Sequence, residues 1–442
     1  MSISSIINIA DYGAATTNSG AENSEAIREA LDQLIHLKGG ILFIPLGTYK
    51  INETITIDYP GIYIRSASPY RSMLSVETEF TGSEVIRFEP GHDFDSAKSV
   101  GIENGLTISC QNATVHGITV IRGYDQLSFR NVEIRGVNKN HSAFNFTQTS
   151  SNIKVLGQTL LMENCVALRW GQEADRALYY INRYQEINLI GCKAFSAIKE
   201  NASDPQPEAG NAFHYKDCRG VTMSGCSAAF AENAIIVEAD LRNATGTTIS
   251  GQTNEQISNL ALKTICKTGV AIGSITYLPY RDESGGGGFE LNNCTLSTIY
   301  SLNKEVKLSQ GSSRNVIFSS DISKVVDTPK GNAIMGLSKF DKLGFSMNEA
   351  LDINGKSLDP TFTLRGKDGL QEVRMRQIGT GFQLDLKEDS TYKKKLVVDS
   401  SIEKATSISL SYKVDGVEKF AKVSVGPVDS GGPGQRQLTI PN

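Results

Sequence analysis

Between Gly105 and Ser297 one short pattern recurs, a bend residue followed by a small one inside an otherwise strand-like stretch. It reads Ser128-Phe-Arg-Asn131-Val132, Leu161-Met-Glu-Asn164-Cys165, Leu189-Ile-Gly191-Cys192, Met223-Ser-Gly225-Cys226, Ile249-Ser-Gly251-Gln252 and Leu291-Asn-Asn293-Cys294. The first of each pair is Asn or Gly, the residues that adopt a left-handed backbone at least cost. The second is mostly Val or Cys, small enough to stack on its own copies in a narrow interior. Successive copies lie roughly 25 to 45 residues apart, a spacing typical of coiled repeat architectures. A chain built this way buries each coil only against its neighbours, and the expected fold is a parallel β-helix.

The bulk composition removes several alternatives. Lys and Arg total 44 against 48 Asp and Glu, so electrostatics give a nucleic-acid partner no support. No apolar run is long enough to span a bilayer, and the opening Met1-Ser-Ile-Ser-Ser-Ile6 lacks the basic and apolar regions of a secretory signal. Of the seven Cys, Cys165, Cys192, Cys226 and Cys294 occupy the equivalent repeat position and are expected to point inward in one column. Coils about 4.8 Å apart bring such thiols close to disulfide reach, but packing as small buried hydrophobes is the expected role. With no CxxC or His-rich spacing, neither a metal nor a cofactor is expected.

The N-terminus carries a second pattern. Ile9-Ala-Asp11-Tyr12-Gly13-Ala14 precedes an amphipathic segment, Asn23 to Leu37, whose apolar Ala26, Ile27, Ala30, Leu31, Leu34 and Ile35 fall at helical spacing. Gly39-Gly40, a strand, and Pro45-Leu-Gly47-Thr-Tyr49 follow. This resembles the N-terminal cap of the pectate-lyase-like right-handed β-helix superfamily. The helix would lid the open end of the first coil and block strand addition there. The resemblance covers about the first 60 residues, and the coils extend it to about residue 325. It implies an all-β, right-handed parallel β-helix with a short N-terminal capping helix. It does not imply an activity, since the fold carries lyases, hydrolases and non-enzymes.

After a last legible coil at Arg314 to Ile322, Asp327-Thr-Pro329-Lys-Gly331-Asn332 reads as a linker. Alternating strands at Thr361 to Arg365, Gly381 to Leu386 and Ile408 to Val414 then indicate a separate C-terminal antiparallel β domain. The expected division is a cap and first coil over 1–60, the β-helix over 61–327 and the C-terminal domain over 328–442. The Gly-rich closing segment from Gly431 to Asn442 resembles that of trimeric phage tail proteins. The three parts together resemble a bacteriophage tailspike. That resemblance implies a homotrimer attached to a phage tail or baseplate protein, binding bacterial surface polysaccharide and in many cases cleaving it. Delivery on a virion would replace a signal peptide.

The connections that follow the bends vary in length and are expected to stack along one corner of the solenoid, a common site of function. They contain Trp170, Glu173, Asp175, Arg176, Asp204, Glu208 and Glu232. The next strands align as Ala143 to Thr147, Ala177 to Ile181, Ala212 to Lys216 and Ala234 to Asp240. With Phe144, Phe213 and Tyr215 inward, the alternation is expected to send Asn145, Tyr179, His214, Lys216, Glu238 and Asp240 outward.

Glycoside hydrolysis needs two carboxyl groups across the scissile bond. Asp175 and Glu232 fall two coils apart, about 9 to 10 Å from the coil spacing, near the upper end of the separation of an inverting pair. Glu238 could substitute for either. Candidate sugar contacts are Trp170, Glu173, Arg176, Tyr179, His214, Lys216 and Asp240, with a second loop cluster at Tyr277, Tyr280, Arg281, Asp282 and Glu283. A lyase would want a tight calcium-binding carboxylate cluster and an Arg or Lys base. Arg176, Arg183, Arg219 and Lys216 are present, but no such cluster is evident. The polygalacturonase-like Asn-x-Asp, Asp-Asp and Gly-His-Gly motifs are absent too. The expected activity is therefore two-carboxylate hydrolysis, with a non-enzymatic receptor-binding spike or a polysaccharide lyase as alternatives.

Overall fold

All six bend residues have left-handed backbone in the computed structural model of the protein, with φ of 55° at Asn131, 51° at Asn164, 62° at Gly191, 61° at Gly225, 65° at Gly251 and 47° at Asn293. The structure describes residues 5–89, 98–121, 125–138, 140–148, 156–170, 176–198, 210–282, 288–301, 304–309, 311–320, 322–327 and 332–336, and beyond these only the strand backbones of the C-terminal region.

The bends separate three ladders of parallel strands. One stacks Leu106–Ser109, Val132–Val137, Val166–Trp170, Lys193–Ile198 and Ser227–Ala229. The second stacks His116–Ile121, Phe144–Thr147, Tyr179–Asn182, Phe213–Lys216, Asn233–Ala239 and Leu260–Cys266. The third stacks Asp125–Arg130, Leu160–Glu163, Gln185–Ile190, Arg219–Ser224 and the long strand Ala244–Glu255. The chain forms a right-handed parallel β-helix whose inward side chains make one continuous column of core.

The helix Gly20–His36 packs against the strand Gly47–Ile57 and buries Ala26, Ile27, Ala30, Leu31 and Leu34. It begins three residues before the apolar pattern does, because Ser19 and Glu22 form a capping box. Glu22 accepts from the Ser19 backbone N–H at 2.8 Å, and the Glu22 N–H donates to Ser19 Oγ at 3.4 Å.

Inside the coils like stacks on like. Cys165, Cys192 and Cys226 form the expected column, each thiol donating to a carbonyl of the preceding coil at Phe129, Met162 or Leu189 (3.4, 3.6 and 3.5 Å). Cys294 does not join them. It pairs with Ile272, which pairs with Ala244, so it continues a different corner. The bend motif is not unique to one corner, since Arg183 and Asp217 are also left-handed where the second ladder turns into the third. All seven cysteines are free, and all but Cys266 are buried. Burial pushes the thiols of Cys110, Cys218 and Cys294 up to about 12, where they stay protonated and unreactive.

The β-helix runs on past Asp327. The strand Val325–Asp327 pairs with Val306–Leu308, and Asn332 accepts from Asn315 Nδ2 at 2.8 Å while donating to Asp327 and to the Ser312 carbonyl (2.8 and 3.2 Å). Asp327 and Asn332 are thus tied into the coils, and the chain divides into compact units at 1–335 and 336–442. The second unit contains a five-stranded antiparallel sheet, Leu343–Leu351 to Thr391–Val398, and a three-stranded one, Ser407–Val414, Val417–Val425 and Leu438–Thr439.

Tyr179 is fully buried, contrary to its expected outward placement. The register pairs Tyr179 with Phe144 on one side and Phe213 on the other, and the Tyr179 ring stacks between them at 4.8 and 4.7 Å. Its hydroxyl donates to the carbonyls of Cys165 and Lys193 (2.8 and 3.1 Å), so the buried polar atom is satisfied. Replacing Tyr179 by Phe should lower unfolding free energy by about 1 kcal/mol through loss of those bonds. Tyr180→Phe on the outer face should change it much less, and urea titration of the two variants compares them.

Candidate functional site

The outer face of the second ladder presents Tyr180, His214 and Ile236 in one row across three coils, with Asn182, Lys216 and Glu238 in the row beside it. Tyr180, half-buried, occupies the position expected of Tyr179. Its ring meets His214 edge to face, centroids 5.2 Å apart. The last strand turns Ile235, Val237 and Ala239 inward, which leaves Glu238 and Asp240 as outward neighbours.

These side chains close into an ion-paired chain. His214 Nε2 lies 2.8 Å from Glu238 Oε2, and Lys216 Nζ lies 2.8 Å from Glu238 Oε1 and 2.6 Å from Asp240 Oδ2. Lys267, absent from the expected set, pairs with the other oxygen of Asp240. Burial alone would raise the Glu238 carboxyl, but the hydrogen bonds from His214 and Lys216 outweigh it and hold Glu238 below the usual range. Bonds from Lys216 and Lys267 lower Asp240 as well. Lys216 is desolvated, yet its bonds to Asp240 and Glu238 raise it. Asp217 anchors the end of this strand by accepting from the backbone N–H groups of Asp240, Leu241 and Arg242 (2.7, 3.0 and 3.3 Å).

The corner before the strands is held from inside by Arg169, which is completely buried. Its guanidinium donates to Ser196 Oγ at 3.1 Å and to the carbonyls of His141 and Arg176 at 2.7 and 2.8 Å. Arg176 therefore projects from a fixed backbone. Its guanidinium lies over the Tyr180 ring, 5.3 Å from the centroid, and 3.2 Å from His116 Nε2. Further along, Glu232 is half-buried and its N–H donates to the Gly210 carbonyl at 2.8 Å. An asparagine ladder, Asn211–Asn233–Asn259, runs beside it with bonds of 2.8 and 3.2 Å.

The expected candidates thus fall into two groups. Glu238, Asp240, His214 and Lys216 meet at one end of the strands. Glu232 lies at the other end, six residues and so about 20 Å from Glu238 along an extended chain. Glu173 and Asp175 lie outside the described residues, as does the side chain of Trp170, whose backbone pairs with Ile198. In the second loop cluster Tyr277 is buried and accepts from Asn254 at 2.8 Å, so it faces the core. The side chains of Tyr280, Arg281 and Asp282 and all of Glu283 lie outside the described residues. Sequence reasoning missed Tyr180, Lys267, His116 and His141. The His-Gly-Ile-Thr run at 116–119, which opens a strand of the same ladder, is the available signal for His116.

Among the described residues no helix is long and apolar enough to cross a membrane. No protein-family model matches the sequence, and neither does any curated protein. The fold does have solved counterparts, phage proteins among them. The N-terminal fragment of gene product 12 of bacteriophage Phi29 aligns over 74% of this chain and 65% of its own, with a TM-score of 0.50 and 11% identity. A DFA-IIIase from Arthrobacter chlorophenolicus aligns over 75% of this chain and 98% of its own (TM-score 0.46, 11% identity). ORF18 of Geobacillus virus E2 aligns over 94% and 85% (TM-score 0.38, 12% identity). At such identities the likeness is one of fold.

The depressed Glu238 carboxyl has a signed consequence. Its stabilising contribution is present above the ordinary carboxylate range and is lost as pH falls through the lower, folded-state value. The Glu238→Gln variant should therefore be less stable than the parent at neutral pH, with the difference shrinking below about pH 4. Thermal melts across pH 3 to 7 measure this.

Proposed function

We propose that this protein is a phage-type tailspike that binds a bacterial surface polysaccharide along the outer face of the second ladder and hydrolyses its glycosidic bonds. The observation that carries the reading is the strip Arg176–Tyr180–His214–Glu238–Lys216–Asp240, fixed across successive coils by strand register. An aromatic face beside ion-paired, half-buried polar groups suits sugar rings, which are apolar on their faces and hydroxylated at their edges.

In this reading Glu232 and Asp175 are the catalytic pair. One carboxylic acid protonates the leaving glycosidic oxygen, and the other carboxylate takes a proton from the water that attacks the anomeric carbon. Glu238 is held ionised with both oxygens engaged, which is unfavourable for a general acid and suits a group that orients a sugar hydroxyl. Assembly as a homotrimer on a phage tail or baseplate belongs to the same proposal. A second reading, a receptor-binding spike without catalysis, is favoured by that same ion pairing, since charge-compensated carboxylates are what a recognition surface needs.

Incubation with capsule and lipopolysaccharide from a strain panel should release discrete oligosaccharides with new reducing ends. Glu232→Gln and Asp175→Asn should each slow release by about 10² to 10⁴-fold while glycan binding persists. Binding with no cleavage would establish the second reading, and unsaturated products absorbing in the ultraviolet would establish a lyase.

A further inference from the structure

His116, His141 and Arg176 gather on consecutive coils at the corner beside Tyr180, and among the described residues their hydrogen bonds do not close. The Ser142 backbone N–H donates to His116 Nδ1 at 2.9 Å, so that nitrogen carries a lone pair and the ring proton sits on Nε2. Nε2 lies 3.2 Å from Arg176 Nη1, and a guanidinium nitrogen is only ever a donor. Two N–H donors therefore face each other. His141, its ring 4.7 Å from that of His116, has a buried Nδ1 with no hydrogen-bond partner among the described residues. Burial, with His141 and Arg176 nearby, pulls His116 down to about 3. The only other contact of the Arg176 guanidinium among the described residues is the face of Tyr180.

Converging donors with no acceptor among the described residues are the arrangement that an oxyanion completes, since one oxygen can accept from both Nε2–H and Nη1–H. We infer that this corner binds a negatively charged oxyanion substituent of the glycan, a uronic carboxylate or a phosphate, and so selects acidic polysaccharide. The inference rests on the polysaccharide reading for placing a glycan on this face. Arg176 supplies the charge and the fork. Tyr180 and the buried Arg169 hold it in place, the first through its ring and the second through the Arg176 carbonyl. His116 supplies a neutral donor of fixed tautomer, so the site discriminates by charge without itself titrating at neutral pH.

Histidine-labelled full-length protein, with five His in all, gives a direct readout in imidazole correlation spectra. Sodium glucuronate, sodium phosphate and uncharged methyl glucoside are titrated separately at ionic strength matched with sodium chloride. Glucuronate or phosphate should move the His116 and His141 resonances, and whichever binds more tightly names the substituent. Methyl glucoside and sodium chloride should not move them. Arg176→Gln should weaken the response at least about tenfold, the loss of one charge-assisted hydrogen bond, and Arg176→Lys should restore part of it. Absence of movement with both oxyanions, or equal movement with methyl glucoside, would overturn the anion site. Cleavage or binding of uncharged glycans alongside such a negative result would leave the polysaccharide reading standing and remove only its acidic specificity.

Discussion

Parallel in-register pairing is the constraint on which everything else in the first unit depends. Strands about 4.8 Å apart force each side chain to stand on the residue one coil below, so a suitable residue type must recur at every level. The ring stack of Phe144, Tyr179 and Phe213 and the thiol column Cys165–Cys192–Cys226 are two solutions to that requirement. The left-handed bends are its geometric counterpart, because they turn the chain without disturbing the register on either side.

On the outer face the same constraint works through charge. Like charges in adjacent coils would repel, and the second ladder places Lys216 against Glu238. The resulting chain of His214, Glu238, Lys216, Asp240 and Lys267 is nearly charge-compensated and holds its carboxylates ionised. On the proposed function this separates recognition from proton transfer along the strands. The ion-paired end is chemically quiet, whereas the corner end carries Glu232 and the donors of Arg176 and His116.

Much of this was legible from sequence because the repeat is built from residue types with few conformational alternatives. Asn and Gly at the bends, and the alternation in Phe213 to Lys216, permit few placements. The strand at 177–181 was ambiguous: Leu178 with Tyr180, or Tyr179 with Ile181, both satisfy a period of two. Tertiary stacking on Phe144 and Phe213 decided between them. Cys294 misled for the converse reason, since a left-handed Asn before a small residue serves more than one corner. The helix start is set by the Ser19–Glu22 capping box, a polar signal that the apolar periodicity beginning later does not carry. The donor cluster could not be read from spacing at all, since His116, His141 and Arg176 are joined only by coiling.

The buried thiol column makes the coils their own recorder. Each sulfhydryl is enclosed by the coils on either side. A thiol reagent can reach it only when neighbouring coils part. The order in which Cys110, Cys165, Cys192, Cys218, Cys226 and Cys294 become modified under mild denaturant would trace where the solenoid unzips first, and whether opening spreads from its ends or begins within.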